Sequence, residues 1–270
     1  MSSPLTAPIF PYLSPEPLSI GAFKIQIFGL MVLLALLLGI FIYYRRVTQQ
    51  KLNVGDANGL LQWSLGAALI LSHVFYFAIY HPDRPVDDFA QVLNVFIGMS
   101  SIGGFLGLII GMWFYVHWKR LDFLRYADVM MWASIHGWVV ARIGCAFAHD
   151  HPGLFTQAWF SVQWPLNHPD QIYNLNQLPG RHDLGLNEVF LTLAILILLY
   201  LTNGRGQRFA GFNVALAFCI YAPVRFFMDF LRVNDIHYAG LTPAQYGMIV
   251  MFLLGFAIVI QNYRQHLASR

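Results

Sequence analysis

Apolar residues along this chain gather into long runs, and about 20 such residues suffice to cross a hydrocarbon core of about 30 Å. Three runs reach that length plainly, at 25–44, 60–80 and 93–116, and four weaker ones follow at 127–148, 186–202, 209–231 and 241–261. The pattern predicts an all-α, polytopic integral membrane protein of about seven transmembrane helices, with residues 1–270 forming one transmembrane domain. A polar, proline-rich lead from Met1 to Phe23 precedes the first run, and no small-residue cleavage site follows it. The first run is therefore read as a retained helix rather than a removable signal.

Composition agrees: 57% of residues are hydrophobic and 11% charged, against about 25% charged in a soluble domain. Mean hydropathy is +0.55. The two cysteines, Cys145 and Cys219, lie inside apolar runs, so neither a disulfide framework nor a paired-cysteine zinc pattern is indicated. The net charge of +3 says less than its placement, and it implies no nucleic-acid partner. With the first helix running outside to inside, Arg45, Arg46, Lys51, Lys119, Arg120, Arg125, Arg205, Arg208, Arg264 and Arg270 fall on one side. Those are ten of the sixteen basic residues, so that side is cytoplasmic, the N-terminus is outside and the C-terminus inside. The other face receives Glu16, Asp83, Asp87, Asp88, Asp150, Asp170, Asp183, Glu188, Asp229 and Asp235.

One long connection stands out, about thirty-five residues from His149 to Asp183, rich in Pro, Gly, Asn, Gln and His. Long loops in compact proteins are usually functional. Trp159, Phe160, Trp164 and Tyr173 suit the headgroup layer, so residues 149–185 are expected to form a cap between helices four and five on the outer face. Gly98, Gly103, Gly104, Gly107 and Gly111 space the third run for close helix contact. Packing accounts for Gly98, Gly107 and Gly111, whereas the Gly103-Gly104 pair is also a candidate for loosening the helix so that its backbone meets a ligand. No internal repeat is visible, which weighs against inverted-repeat transporters.

Chemistry enters with the ionisable residues of the late runs. An arginine within a spanning helix costs at least about 2.5 to 3.5 kcal/mol, so it faces protein, water or a partner. Arg142 lies late in the fourth run, and Tyr221, Arg225, Asp229 and Arg232 recur at i, i+4, i+8 and i+11 late in the sixth, on one helical face. Setting Arg142, Arg225 and Arg232 against Asp229 and Asp150 leaves excess positive charge near the outer leaflet. Guanidinium forks bind phosphate in bidentate fashion, and a phospholipid headgroup is the simplest anionic ligand resident in a membrane.

Beside Arg142 stands His149-Asp150-His151-Pro152-Gly153. Two histidines flanking a carboxylate suit general base catalysis or metal binding. No third ligand is fixed by spacing, so no metal site is assigned, although His182-Asp183 lies across the loop. His136 and His73 read as helix-packing histidines bonded to a neighbour.

These segments together resemble prolipoprotein diacylglyceryl transferase, a seven-helix enzyme family of the bacterial inner membrane. The resemblance runs through Pro17-Leu18-Ser19-Ile20, Phe28-Gly29, Gly103-Gly104-Phe105-Leu106-Gly107, Asp128, Arg142-Ile143-Gly144 and Gly153. Most specific is Tyr221-x-x-x-Arg225-Phe226-x-x-Asp229-Phe230-x-Arg232 followed by Gly240-Leu241-Thr242-Pro243-Ala244-Gln245. It implies transfer of the diacylglyceryl group of phosphatidylglycerol to the lipobox cysteine thiol of a prolipoprotein, at its signal-peptide segment, with release of glycerol phosphate. No metal or soluble cofactor is implied. The thiol must lose a proton from a group of pKa about 8.5 while the leaving phosphate is stabilised.

By this resemblance Arg142 and Arg225 are the essential arginines, Tyr221 is the neighbouring tyrosine, and Asp229 stands where the family usually has glutamate. Catalytic candidates are thus Arg142, Arg225, Tyr221, His149, Asp150 and His151. Substrate-binding candidates are Gly103, Gly104, Gly144, His182, Glu188, Asp229 and Arg232. The family's histidine before the double glycine is Ile102 here, its first-helix tyrosine is Phe28, the asparagine after Arg-Ile-Gly is Cys145, and its His-Pro-x-Gln-Leu-Tyr-Glu segment reads His182-Asp183-Leu184-Gly185-Leu186-Asn187-Glu188. Three readings stay open: His149, His151 or His182 has taken over proton transfer; the chain is a paralogue that binds or translocates phospholipid, or passes it to another acceptor; or it is a metal-dependent lipid hydrolase or transferase using His149, Asp150, His151 and His182.

Overall fold

The computed structural model describes residues 10–21, 23–80, 98–156, 158–165, 180–203, 209–233 and 236–268. Seven α-helices dominate it: α1 (Ile27–Gln49), α2 (Val54–Phe75), α3 (Ser101–Lys119), α4 (Phe123–Ala148), α5 (Leu184–Thr202), α6 (Phe212–Met228) and α7 (Pro243–Ala268). Each falls on one of the seven apolar runs. Six helices among the described residues are long and apolar enough to cross a membrane, all but α3. Asp83, Asp87, Asp88, Asp170, Tyr173, Arg205, Arg208, Asp235 and Arg270 lie outside the described residues, as does 166–179 of the expected cap.

The chain divides into two compact units, residues 43–130 and residues 1–42 with 131–270. In the first of these, α2 and α3 pack closely because α3 presents glycine where α2 presents backbone. A Cβ at Gly103, Gly107 or Gly111 would strike the carbonyls of Leu71, Ala67 and Trp63 in turn. The Gly103-Gly104 pair does not loosen its helix. Ser100 caps α3, its side chain accepting from Gly103 N at 3.3 Å and its carbonyl from Gly104 N at 2.9 Å, and α2 fills the space a side chain at 103 would take. Tyr43 Oη donates to Ala57 O at 3.0 Å, tying the end of α1 to the start of α2. His73 Nδ1 is bonded to Gly98 O at 3.1 Å, as expected of a packing histidine.

In the other unit, Trp132, Ile135, Ile195, Leu199 and Ala217 of α4, α5 and α6 form the core. His136 joins Trp132 O at 2.7 Å and Tyr200 Oη at 2.8 Å, also a packing role. Gly137 lies against the Ala35 carbonyl and Gly144 against Met31 Cβ, so α1 approaches α4 at two small residues.

The connection between α4 and α5 is not an unpatterned loop. Strands β1 (Phe10–Pro11), β4 (Pro152–Thr156), β5 (Val162–Gln163) and β6 (Gly180–Asp183) form one sheet in the order β1-β5-β6-β4, while β2 (Leu18–Ile20) and β3 (Phe23–Ile25) make a separate hairpin. β1 runs parallel to β5, with Phe10 opposite Val162; β6 is antiparallel to both β5 and β4.

Candidate functional site

Four pieces of chain bring the polar residues of the second unit together. Helix α4 supplies Arg142, α5 supplies Glu188, α6 with its following 3-10 turn supplies Tyr221, Arg225 and Asp229, and the start of α7 supplies Thr242 and Gln245. The sheet places Glu188: β6 ends at Asp183, whose carboxylate caps α5 by accepting from Leu186 N at 2.9 Å. Glu188 then sits in the second turn, facing inward with no exposure.

Glu188 joins the two arginines. Its Oε2 lies 2.9 Å from Arg142 Nε and its Oε1 lies 3.0 Å from Arg225 Nε. Tyr221 Oη donates to Glu188 Oε2 at 2.6 Å and also lies in hydrogen-bonding reach of Arg142. Arg142 stacks on the Trp138 ring, 4.3 Å from its centroid, and its Nη1 approaches Cys145 Sγ at 3.6 Å. Arg225 Nη1 donates to Asp229 Oδ1 at 2.7 Å, and Arg232 Nη1 lies 4.0 Å from that same oxygen. The expected stripe holds for Tyr221, Arg225 and Asp229, with Val224, Phe227 and Phe230 on the exposed side, whereas Arg232 follows the 3-10 turn in extended backbone rather than on the helix.

Asp229 is held in turn from α7. Thr242 Oγ1 donates a short hydrogen bond to Asp229 Oδ2. Gln245 Oε1 accepts from Thr242 N at 2.9 Å, and Gln245 Nε2 donates to Phe226 O at 3.2 Å. The Gly-Leu-Thr-Pro-Ala-Gln segment thus acts as a brace behind the carboxylate. Among the described residues, Arg142, Arg225 and Arg232 gather round the carboxylates of Glu188 and Asp229. Counting Asp229 and Asp150 in the sequence omitted Glu188, the carboxylate that stands between the arginines; Asp150 instead faces His151, 3.3 Å away.

The histidines of the exit segment fall in different places. His149 closes α4 in the left-handed conformation, φ 49°, and both its ring nitrogens are engaged. Nδ1 meets Asp183 Oδ2 at 2.5 Å and Nε2 meets Leu13 O at 3.2 Å, while Tyr12 stacks on the ring at 3.8 Å. It ties the N-terminal lead to the end of α4 and the start of α5. His151 is partly exposed beside Asp150. His182 packs against Phe160, its Nδ1 is buried without a hydrogen-bond partner among the described residues, and burial lowers its pKa below the usual histidine range.

Gly153 is pinched between His182 and the Leu231 carbonyl and pairs with Arg232 as an isolated bridge; Val233 N reaches Pro152 O at 3.3 Å. The sheet is thereby joined to the segment that carries Asp229 and Arg232. Gly103 and Gly104 belong to the other unit. Sequence reasoning missed Thr242, Gln245 and Trp138 as parts of the site, although the first two lay within a motif it had singled out. It also missed Cys145, whose sulfur, with a carboxylate oxygen of Asp150 and a ring nitrogen of His151, makes a trio of potential ligand atoms within 4.8 Å of one another.

Comparison with known proteins gives the same direction throughout. The model of the family described as prolipoprotein diacylglyceryl transferase matches residues 15–261. The phosphatidylglycerol–prolipoprotein diacylglyceryl transferase 1 of Clostridium perfringens is 23% identical over 92% of this chain and 94% of its own length. The phosphatidylglycerol–prolipoprotein diacylglyceryl transferase of Chromohalobacter salexigens is 26% identical over 95% of each chain. That of Bordetella bronchiseptica is 27% identical over 94% of this chain and 97% of its own.

Proposed function

From the premise that the chain belongs to the prolipoprotein diacylglyceryl transferase family, we propose that it transfers the diacylglyceryl group of phosphatidylglycerol to the lipobox cysteine of a prolipoprotein. The observation that carries this is the buried pair Arg142 and Arg225, held side by side on one carboxylate, Glu188. Guanidinium groups fixed in a low-dielectric site attract an anion, and a phosphate supplies that charge together with acceptors for the fork.

The arginines have different tasks in this reading. Arg225 is spent on two carboxylates, Glu188 and Asp229, so it orients the cluster. Arg142 sets its Nε beside Glu188 and stacks on Trp138, which fixes the plane of its guanidinium; in this reading its Nη end, which also reaches Cys145 Sγ, meets the phosphate. Arg232, half-buried, adds charge at the rim. In the reaction the thiolate sulfur attacks the terminal glycerol carbon, the carbon–oxygen bond to phosphate breaks, and glycerol phosphate leaves with the electron pair. Stabilisation of that developing charge by Arg142 is the electrostatic contribution. In this reading the sheet and N-terminus lie on the periplasmic side of a bacterial inner membrane and the C-terminus in the cytoplasm, which the distribution of basic residues supports.

Purified protein given phosphatidylglycerol vesicles and a lipobox peptide is expected to yield a thioether-linked product by mass spectrometry, and Arg142→Ala to abolish it. A folded protein that binds phosphatidylglycerol but yields no thioether, and whose gene fails to replace an authentic transferase in cells, would establish instead a lipid-binding or lipid-translocating paralogue. The substitutions Ile102 and Asn187 motivate that second outcome.

A further inference from the structure

We infer, resting on the transfer reaction above, that Cys145, Asp150 and His151 form a three-ligand site for a thiophilic divalent cation of the zinc type, whose open fourth position takes the acceptor thiol. The residues meet because α4 ends abruptly. His149 N closes the last helical bond on Cys145 O at 2.9 Å, and the left-handed backbone at His149 turns the chain back over that final turn. Asp150 and His151 then come beside a residue five and six positions earlier. One donor atom from each of the three lies within 4.8 Å of the others.

The internal geometry of the trio favours a shared ion over a hydrogen-bonded pair. His151 Nδ1 is shielded from solvent and, among the described residues, makes no hydrogen bond, although Asp150 Oδ1 is 3.3 Å away. Two ligands at about 2.0 to 2.1 Å from a tetrahedral zinc stand about 3.3 Å apart. A sulfur, an imidazole nitrogen and a carboxylate oxygen make a donor set for zinc-like ions, whereas magnesium and calcium demand oxygen. Three protein ligands with a fourth position open is the arrangement of a reactive zinc rather than a structural one. The thiolate and carboxylate offset the ion's two charges, so the Arg142 guanidinium, 3.6 Å from Cys145 Sγ, faces a neutral cluster.

Such an ion fills a gap in the chemistry. The carboxylate of the arginine cluster, Glu188, is already shared by two arginines and Tyr221, and His149 has both nitrogens committed. A thiol that coordinates zinc is deprotonated outright, its proton passing to water. The bound sulfur then forms the carbon–sulfur bond, the carbon–oxygen bond to phosphate breaks, and the thioether, a weak ligand, leaves the ion unchanged. No oxidant or reductant takes part.

The test uses the full-length protein in detergent, stripped with a chelator and titrated with Co2+ and then Zn2+. One equivalent of Co2+ is expected to give a thiolate-to-metal charge-transfer band that Cys145→Ser removes. Asp150→Asn, at a partly exposed position, is expected to weaken Zn2+ binding by on the order of 10-fold or more. The stripped protein should still bind phosphatidylglycerol but form thioether at least tenfold more slowly, with Zn2+ restoring the rate. Absence of the band in folded protein, a band that survives Cys145→Ser, or undiminished turnover after stripping would each overturn the inference. A Cys145-dependent band in a protein that makes no thioether with any metal keeps the ion site and overturns the transfer reaction instead.

Discussion

Glu188 Oε1 meets Arg225 Nε at 3.0 Å with the glutamate wholly removed from solvent, and its other oxygen holds Arg142. Removing one partner of a buried ion pair costs about 3 to 5 kcal/mol because the remaining charge is left uncompensated. Glu188→Gln keeps the shape and discards the charge, leaving Arg142 and Arg225 without their common anchor. It is expected to lower stability by about that amount and to reduce thioether formation by on the order of 100-fold, with thermal unfolding in detergent and the peptide assay as measurements. A variant with full activity and an unchanged midpoint would show that the bridge is dispensable.

The brace from α7 makes a second expectation. Asp229 accepts from Arg225 and Thr242 together, so Asp229→Asn and Thr242→Val act on one network. Residues in one hydrogen-bonded network show coupling energies of about 0.5 to 3 kcal/mol. A double-mutant cycle on unfolding free energy should find the pair non-additive within that range; strict additivity would mean that the brace carries no energy.

Helix contact in the other unit is tested at Gly107. A Cβ there meets the backbone of Ala67 and Ala68 rather than a yielding side chain. Gly107→Leu is expected to force α2 and α3 apart, costing about 1 to 3 kcal/mol or more, while Gly104→Ala, whose Cβ comes no closer than 3.8 Å to Ser72, should be tolerated. Comparing the two unfolding midpoints decides it.

His182 gives a pH dependence with a definite sign. Burial lowers its pKa below the ordinary 6.5, so near and below that pH the unfolded chain binds more protons than the folded one. Stability therefore falls as pH drops through this range and is unaffected by His182 well above it. The difference in thermal midpoint between wild type and His182→Gln, followed from about pH 8 to pH 5, should widen in favour of the variant as acid is added.

All seven helices were legible because each needs a sustained apolar run, the strongest signal a membrane chain emits. The stripe Tyr221, Arg225, Asp229 was legible too, since helical spacing alone aligns it. Glu188 was noticed as a matched residue, yet its place between two arginines depends on how α5 packs against α4 and α6, which spacing within one helix does not carry. Strands of two to five residues leave no periodic trace, and β1 finds β5 some 150 positions away, so the sheet went unread. Cys145 reads in the sequence as one more residue of an apolar run, because the left-handed turn at His149, which folds Asp150 and His151 back upon it, leaves no mark in a sequence where glycine would be the usual sign.

The pairing of β1 with β5 also dictates an order of assembly. Phe10 and Pro11 precede helices α1 to α4, but the residues they pair with, Val162 and Gln163, follow those helices. The lead therefore waits unpaired until the middle of the chain has been made. Docking of His149 on Leu13 and Asp183 then becomes a late event that fastens the start of the chain to its centre, and a nascent chain halted before α5 would hold its arginine on α4 without Glu188 to receive it.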